Sequence, residues 1–157
     1  MSTPPPRRSV RIRDATPADA TRLTSLLAAL GYPADPDTVT ARLEWLLAAD
    51  PTARVIVAEV DGTVHGFATL HATPTLHRPT IVGRITGIAV AESSRQLGIG
   101  QHLVDAAEEH FRTLGAHRIE VTSGPTHAPA YDFYRHLGYE DAGVRFAKPL
   151  PRRDTTA

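Results

Sequence analysis

The chain predicts a mixed α/β fold, with a mostly antiparallel central sheet flanked by helices. Three observations carry that expectation. Two stretches with apolar residues at helical spacing lie near the N-terminus. Two β-rich runs in "ARVIVAEVDGTVHGFATLH" (53–71) flank Asp61-Gly62, and a strand–loop–helix–strand unit begins at residue 81. The hairpin is the clearest of the three, because a two-residue Asp-Gly connection favours a type I′ turn.

Each element has its own signal. "VRIRDA" (10–15) alternates like a half-buried strand. In "TPAD" Thr16 is placed as an N-cap, Pro17 at the first helical position and Asp19 at the capping-box position. Leu23, Leu26, Leu27 and Leu30 then share one helical face, and Gly31 ends the helix. A second helix starts at Asp35-Pro36 with Val39, Leu43, Leu46 and Leu47 on one side; these leucines are candidate core. After the hairpin, the loop "ATPTLHRPT" leads to the strand "IVGRITGIAV" (81–90). Ile99, Leu103, Val104, Ala107, Phe111 and Leu114 form the apolar stripe of a long helix closed by Gly115. "HRIEVTS" (117–123) is a strand, "APAYDFYRHL" (128–137) a short helix closed by Gly138, and "YEDAGVRFAKPL" (139–150) is expected to make two final strands. Residues 1–8 and 151–157 are proline-rich and polar, so both are expected to be loose tails on a single domain spanning 9–150.

Bulk properties narrow the function classes. Seventeen basic residues balance seventeen acidic ones, so no net field recruits nucleic acid or an anionic membrane. The absence of cysteine excludes a disulfide framework, a thiolate metal site and a cysteine nucleophile, and it fits a reducing compartment. No apolar run approaches the roughly 20 residues that span a bilayer, and "MSTPPPRRS" lacks the apolar core of a signal peptide. A cytoplasmic protein is expected, with neither nucleic acid nor membrane as partner and no metal.

The most informative stretch is "SSRQLGIGQHL" (93–103), a glycine-bearing loop running into a helix. It is not a Walker-type loop, because Gly100-Gln101-His102 stands where glycine, lysine and a hydroxyl residue are needed. A dinucleotide fingerprint fits poorly. Gly98 and Gly100 are present and Glu120 is a candidate ribose ligand, but Leu103 occupies the third glycine position. Seven residues also separate Val90 from Gly98, where a dinucleotide turn would begin at the strand end. A plain tight turn remains an alternative. The pattern that fits is Arg-x-x-Gly-x-Gly: Arg95, Gln96, Leu97, Gly98, Ile99 and Gly100. Its backbone N–H groups and the following helix start favour an anion, and the glycines allow a pyrophosphate to approach closely.

With this loop and "AYDFYRHLGY", the chain resembles the GCN5-related N-acetyltransferase (GNAT) family over roughly residues 10 to 149. The second motif is met by Ala130, Tyr134, Gly138 and Tyr139, about 35 residues after the first. The resemblance implies that acetyl-CoA, or another short acyl-CoA, is the acyl donor. It is expected to be held by Ile88, Ala89, Val90, Arg95, Gln96, Leu97, Gly98, Ile99, Gly100, Gln101, His127 and Tyr134. The strand 84–90 would splay from its neighbour, with a bulge at Gly87, so that Ile88 to Val90 pair with the pantetheine arm and the Val90 N–H polarises the thioester. Tyr134 would donate a proton to the departing thiolate.

The chain departs from the family pattern at several positions. Thr86 stands where many relatives carry a glutamate base; it cannot take up a proton near neutral pH but can hold a water. His71 and His77 are the substitutes considered, since imidazole titrates near neutrality. His127 replaces a usual asparagine, and Leu97 a residue often basic. With no cysteine, direct transfer in a ternary complex is the expected course. The expected acceptor is the primary amine of a small molecule, with Asp37 and Glu44 as candidate acidic groups. An amine on a protein is the alternative acceptor, and a domain binding acyl-CoA without turnover is the alternative function. Homodimers are common among the proteins it resembles, so a second copy of the chain is a candidate partner.

Overall fold

The computed structural model describes residues 8–122 and 128–153. The chain divides into two compact units, Met1–Thr122 and Ser123–Ala157.

The first unit is built on a five-stranded sheet in the order β1-β2-β3-β4-β5. These strands are β1 (Arg11–Asp14), β2 (Arg54–Val60), β3 (Thr63–Thr73), β4 (Val82–Val90) and β5 (Arg118–Val121). The first four pair antiparallel, and β5 lies parallel to β4. That last pairing needs a crossover, which α3 (Ile99–Thr113) provides. The β2–β3 turn has Asp61 at φ 51° and Gly62 at φ 78°, the two left-handed residues of a type I′ turn.

Helices α1 (Ala20–Ala29) and α2 (Pro36–Ala49) cover one face of the sheet. Their Leu23, Leu26, Val39 and Leu43 pack with Val55, Val57, Val64, Phe67 and Ala89. The intervening strand residues point the other way, toward α3, whose Ile99, Leu103, Val104 and Ala107 are fully buried. Three predicted core leucines lie at helix margins and are partly exposed: Leu30 (41%), Leu47 (43%) and Leu114 (46%). Leu30 and Leu114 are the C-cap residues of α1 and α3, where the last turn leaves the apolar stripe.

Local chemistry sets where the helices begin. The Asp19 carboxylate accepts the Thr16 N–H at 2.8 Å and closes a short 3-10 turn (Pro17–Asp19) ahead of α1. The same carboxylate takes two bonds from Arg13, at 2.8 and 2.9 Å, while Arg13 Nε reaches Glu59 at 2.9 Å. This stitches β1, β2 and the start of α1 together. The Asp35 side chain caps α2 by accepting the Thr38 N–H at 2.8 Å.

Two bulges interrupt the alternation. Ala58 pairs with Gly66 but Glu59 with Val64, so His65 is an extra residue in β3. Thr69 pairs with Gly87 but Leu70 with Ile85, so the extra residue in β4 is Thr86 and not the predicted Gly87.

In the second unit, α4 (Ala128–His136) ends at Gly138, whose φ is +90°. The Tyr139 N–H closes the end by donating to the Tyr134 carbonyl at 2.9 Å. The two strands expected in 139–150 are not formed. Gly143 turns the chain at φ +129°, and Pro149 and Pro151 have no N–H to give a ladder. Val144, Phe146 and Leu150 are all more than four-fifths exposed, so this stretch has no buried face. A two-stranded ribbon without a covering layer is marginal on its own.

Candidate active site

The site begins where β4 and β5 part. Their ladder runs from Val82–Arg118 to Ile85–Val121 and stops there, while β4 continues to Val90 along β3. The Ala91 N–H donates to the His65 carbonyl at 2.7 Å, so residue 91 faces β3. Backbone groups alternate sides along a strand. Gly87 and Ala89 therefore also face β3, while the N–H and C=O of Ile88 and Val90 face the edge that β5 leaves. The Thr86 bulge sits where the two strands separate. The Ala89 side chain is buried against α1 and α2.

A 3-10 segment, Glu92–Leu97, carries the chain from β4 to α3. Arg95 and Leu97 are exposed, and Ser94 is buried at 2% exposure. Gly98 sits at φ +71°, a conformation open to glycine at little cost, and caps α3. The N–H groups of Ile99, Gly100 and Gln101 open the helix ahead of its first internal bond, from His102 N–H to Gly98 at 3.1 Å. Ile99 itself is fully buried, so only its backbone is available to a ligand. A strand edge unpaired among the described residues thus lies next in the chain to a glycine-opened helix start, a combination that suits an extended amide-bearing arm ending in a pyrophosphate.

Thr86 is exposed, and its hydroxyl reaches the Thr69 carbonyl at 3.5 Å. His71 lies on β3 opposite Arg84, on the sheet face that carries α1 and α2. Its Nδ1 bonds Asp50, at the end of α2, at 2.7 Å. Asp50 also accepts from the N–H and hydroxyl of Thr52, and these bonds, His71 first, pull its pKa down to about 2. His77 is an exposed loop residue, and Asp37 and Glu44 lie on the exposed side of α2. His127 lies outside the described residues. On α4, Tyr134 is half-buried between Phe133 (ring centroids 5.2 Å apart) and Tyr139 (5.6 Å). Burial raises its pKa above the usual 10, so the phenol stays protonated through neutral pH.

Asp50, His65 and Ser94 escaped the sequence reading. One signal for His65 was available: a lone glycine inside a strand, here Gly66, marks a bulge or a close approach.

An open sheet of this topology, parted at β4 and β5 ahead of a glycine-capped helix, defines an acyltransferase class of fold. A model of the acetyltransferase (GNAT) family matches residues 20–139, and the chain belongs to that family, whose members use acyl-CoA. It is 31% identical over 144 residues to an aminoalkylphosphonate N-acetyltransferase of Salmonella typhimurium, covering 88% of this chain and 90% of the relative. It is 32% identical over 102 residues to an N-alpha-acetyltransferase of Sulfurisphaera tokodaii, covering 59% of each. Among solved structures, an aminoglycoside N-acetyltransferase in complex with CoA superposes with a TM-score of 0.78 at 23% identity, over 92% of this chain and 97% of that one. A transcriptional regulator from Bacillus halodurans superposes at 0.82 with 24% identity, over 90% and 100%. The chain is an N-acetyltransferase. No helix among the described residues is long and apolar enough to cross a membrane.

Proposed function

We propose that the chain transfers an acetyl group from acetyl-CoA directly to the primary amine of a small molecule, with donor and acceptor bound together, and that residues 9–150 act as one catalytic domain. The observation that carries this reading is the edge of β4 at Ile88 and Val90, unpaired among the described residues and followed by the Gly98 turn. In the proposed course, backbone groups of Ile88 and Val90 pair with the pantetheine arm, and the Val90 N–H polarises the thioester carbonyl. The loop from Arg95 to Gln101 receives the pyrophosphate. The amine attacks the carbonyl carbon, the thioester C–S bond breaks, and Tyr134 delivers its proton to the departing thiolate. His71, oriented by Asp50, takes the proton lost by the amine, directly or through a water held at Thr86. A chain without cysteine has no thiol to carry an acyl intermediate, which supports direct attack.

The first acceptor to test is an aminoalkylphosphonate, because the relative named for that substrate aligns along nearly the whole chain. The experiment measures acetyl-CoA binding by calorimetry, with NAD as control ligand, and then CoA thiol release with a panel of amines. The cysteine-free chain adds no thiol background. Saturable binding and amine-dependent release by a small molecule are expected. Release only with peptides would move the acceptor to a protein amine, and binding without release by any amine would leave a non-catalytic acyl-CoA-binding domain.

A further inference from the structure

We propose that His65 is a positioning residue: through Ser94 it holds the 91–98 segment in register with the Val90 N–H. The proposal rests on the reading that this segment receives the pyrophosphate of acetyl-CoA.

Three contacts converge on the β3 bulge. The extra residue His65 shifts the phase of the strand, so that Val64 packs toward α1 and α2 while Gly66 pairs with Ala58 on the α3 face. The Val64 carbonyl takes bonds from Arg22 of α1, Nε at 3.0 Å and Nη2 at 2.8 Å. The bulge is thus held from the helix side. His65 then grips the 91–98 segment at two points. Its carbonyl accepts the Ala91 N–H at 2.7 Å, and its Nδ1 pairs with the Ser94 hydroxyl at 2.5 Å. Between these points the Ser94 N–H donates to the Ala91 carbonyl at 2.9 Å, closing the turn.

The pairing with Ser94 is the telling one. Glu92, Ser93, Arg95 and Leu97 are exposed, so among the side chains described in Glu92–Leu97 Ser94 is the one that points inward. A buried hydroxyl without a partner would be unfavourable, and His65 satisfies it. Ala91 is the next residue after Val90, and Gly98 lies four residues beyond Ser94. One residue therefore holds both places: its carbonyl ties down the strand end next to the Val90 N–H, and its side chain, through Ser94, sets the loop proposed to receive the phosphates. The distance between those two groups must match the pantetheine arm, which is why holding them together matters for donor affinity.

The test compares His65→Ala, His65→Asn, His65→Gln, Ser94→Ala and the double variant His65→Ala/Ser94→Ala. For each, Kd for acetyl-CoA, KM, kcat and Tm are measured. His65→Ala and Ser94→Ala should each weaken acetyl-CoA binding about tenfold, the size of one buried hydrogen bond, with a smaller change in kcat at saturation. The double variant should be no worse than either single one, because both remove the same bond. His65→Asn should restore most of the affinity, since its amide can place a polar atom where Nδ1 sits; His65→Gln should not. Ser94→Ala removes only one oxygen and keeps the test open if His65→Ala fails to fold. Additive losses, unchanged affinity in Ser94→Ala, or an Asn variant as weak as the Ala variant would each overturn the proposal. If wild-type protein does not bind acetyl-CoA at all, the underlying reading falls and takes the proposal with it. Wild-type binding with unaltered variants overturns the proposal alone.

Discussion

Gly66→Ala probes the same region by crowding it. Gly66 lies opposite both Ala58 and Val90, under the first turns of α3. A Cβ there would stand 2.9 Å from the Ala89 carbonyl oxygen, 2.9 Å from Cγ2 of Ile99 and 3.1 Å from Cδ1 of Leu103. The oxygen belongs to β4 backbone, and Ile99 and Leu103 are fully buried, so none of the three has free space to retreat into. The methyl must push the start of α3 and the end of β4 away from β3. Adding a methylene to a filled site costs about 1–3 kcal/mol. For a chain of this length each kcal/mol lowers Tm by roughly 2–4 °C, so a fall of about 2–12 °C is expected. The displaced atoms flank Val90 and Gly98, so KM for acetyl-CoA should rise as well.

Two other glycines separate crowding from its consequence for binding. At Gly83 a Cβ would press on the ring of Phe111, near the C-terminal end of α3 and away from Gly98. Gly83→Ala should therefore lower Tm without raising KM. At Gly87 a Cβ would meet Phe67 at 3.7 Å and Thr69 at 3.8 Å, which is ordinary contact, so Gly87→Ala should leave Tm nearly unchanged. Thermal melts and steady-state kinetics on the three variants check this. A Gly66→Ala variant that melts like wild type, or a Gly83→Ala variant that raises KM as much as Gly66→Ala does, would show that crowding at Gly66 does not reach the Val90–Gly98 region.

Tyr134→Phe should lower kcat about a hundredfold while calorimetry finds acetyl-CoA affinity unchanged; a fully active variant would remove Tyr134 from the role of acid. Gly98→Val should abolish acetyl-CoA binding with only a modest loss of Tm. At φ +71° a branched residue is strained by about 1–2 kcal/mol, yet the nearest atom to its Cβ is His102 Nδ1 at 3.8 Å, so the fold has room for it. The Arg13 bonds hold the Asp19 carboxyl below its ordinary range, so the unfolded chain binds more protons than the folded one as pH falls. That contribution is complete above the unfolded value of about 3.9 and is lost as pH drops through the lower folded value. Wild-type Tm should accordingly fall more steeply on acidification than that of Asp19→Asn, and parallel curves would contradict it.

Much of the fold was legible because it rests on local signals. The Asp61-Gly62 turn, the Asp35 cap and the α3 stripe each depend on a few neighbouring residues, and each forms where the pattern places it. The expected strands in 139–150 failed for the complementary reason. Alternation is a necessary signal for a strand, but Val144, Phe146 and Leu150 are exposed, Gly143 turns the chain, and the prolines interrupt any ladder. The Asp50–His71 and His65–Ser94 pairs join residues 21 and 29 positions apart, and neither has a spacing that periodicity would detect.

The bulges were hidden for a deeper reason, and they are what turns this sheet into a site. A regular β3 and β4 would stay in phase along their whole length, and nothing in the ladder would mark one place on β4 from another. Thr86 breaks that equivalence where β4 leaves β5, and His65, an extra residue against β2, turns the phase of β3 just beyond the pairing of Gly66 with Val90. Between the two lie Ile88 and Val90, whose backbone groups face the open edge. The sequence shows a bulge only as an added residue in an otherwise acceptable strand, and "VHGF" and "RITGI" both read as continuous β. Their effect appears only when the partner strand is counted against them. Deleting Thr86 should restore a regular β3–β4 ladder and remove acetyl-CoA binding more completely than Thr86→Ala, which keeps the bulge. Equal loss in the two variants would mean that the side chain, and not the bulge, is what the site uses.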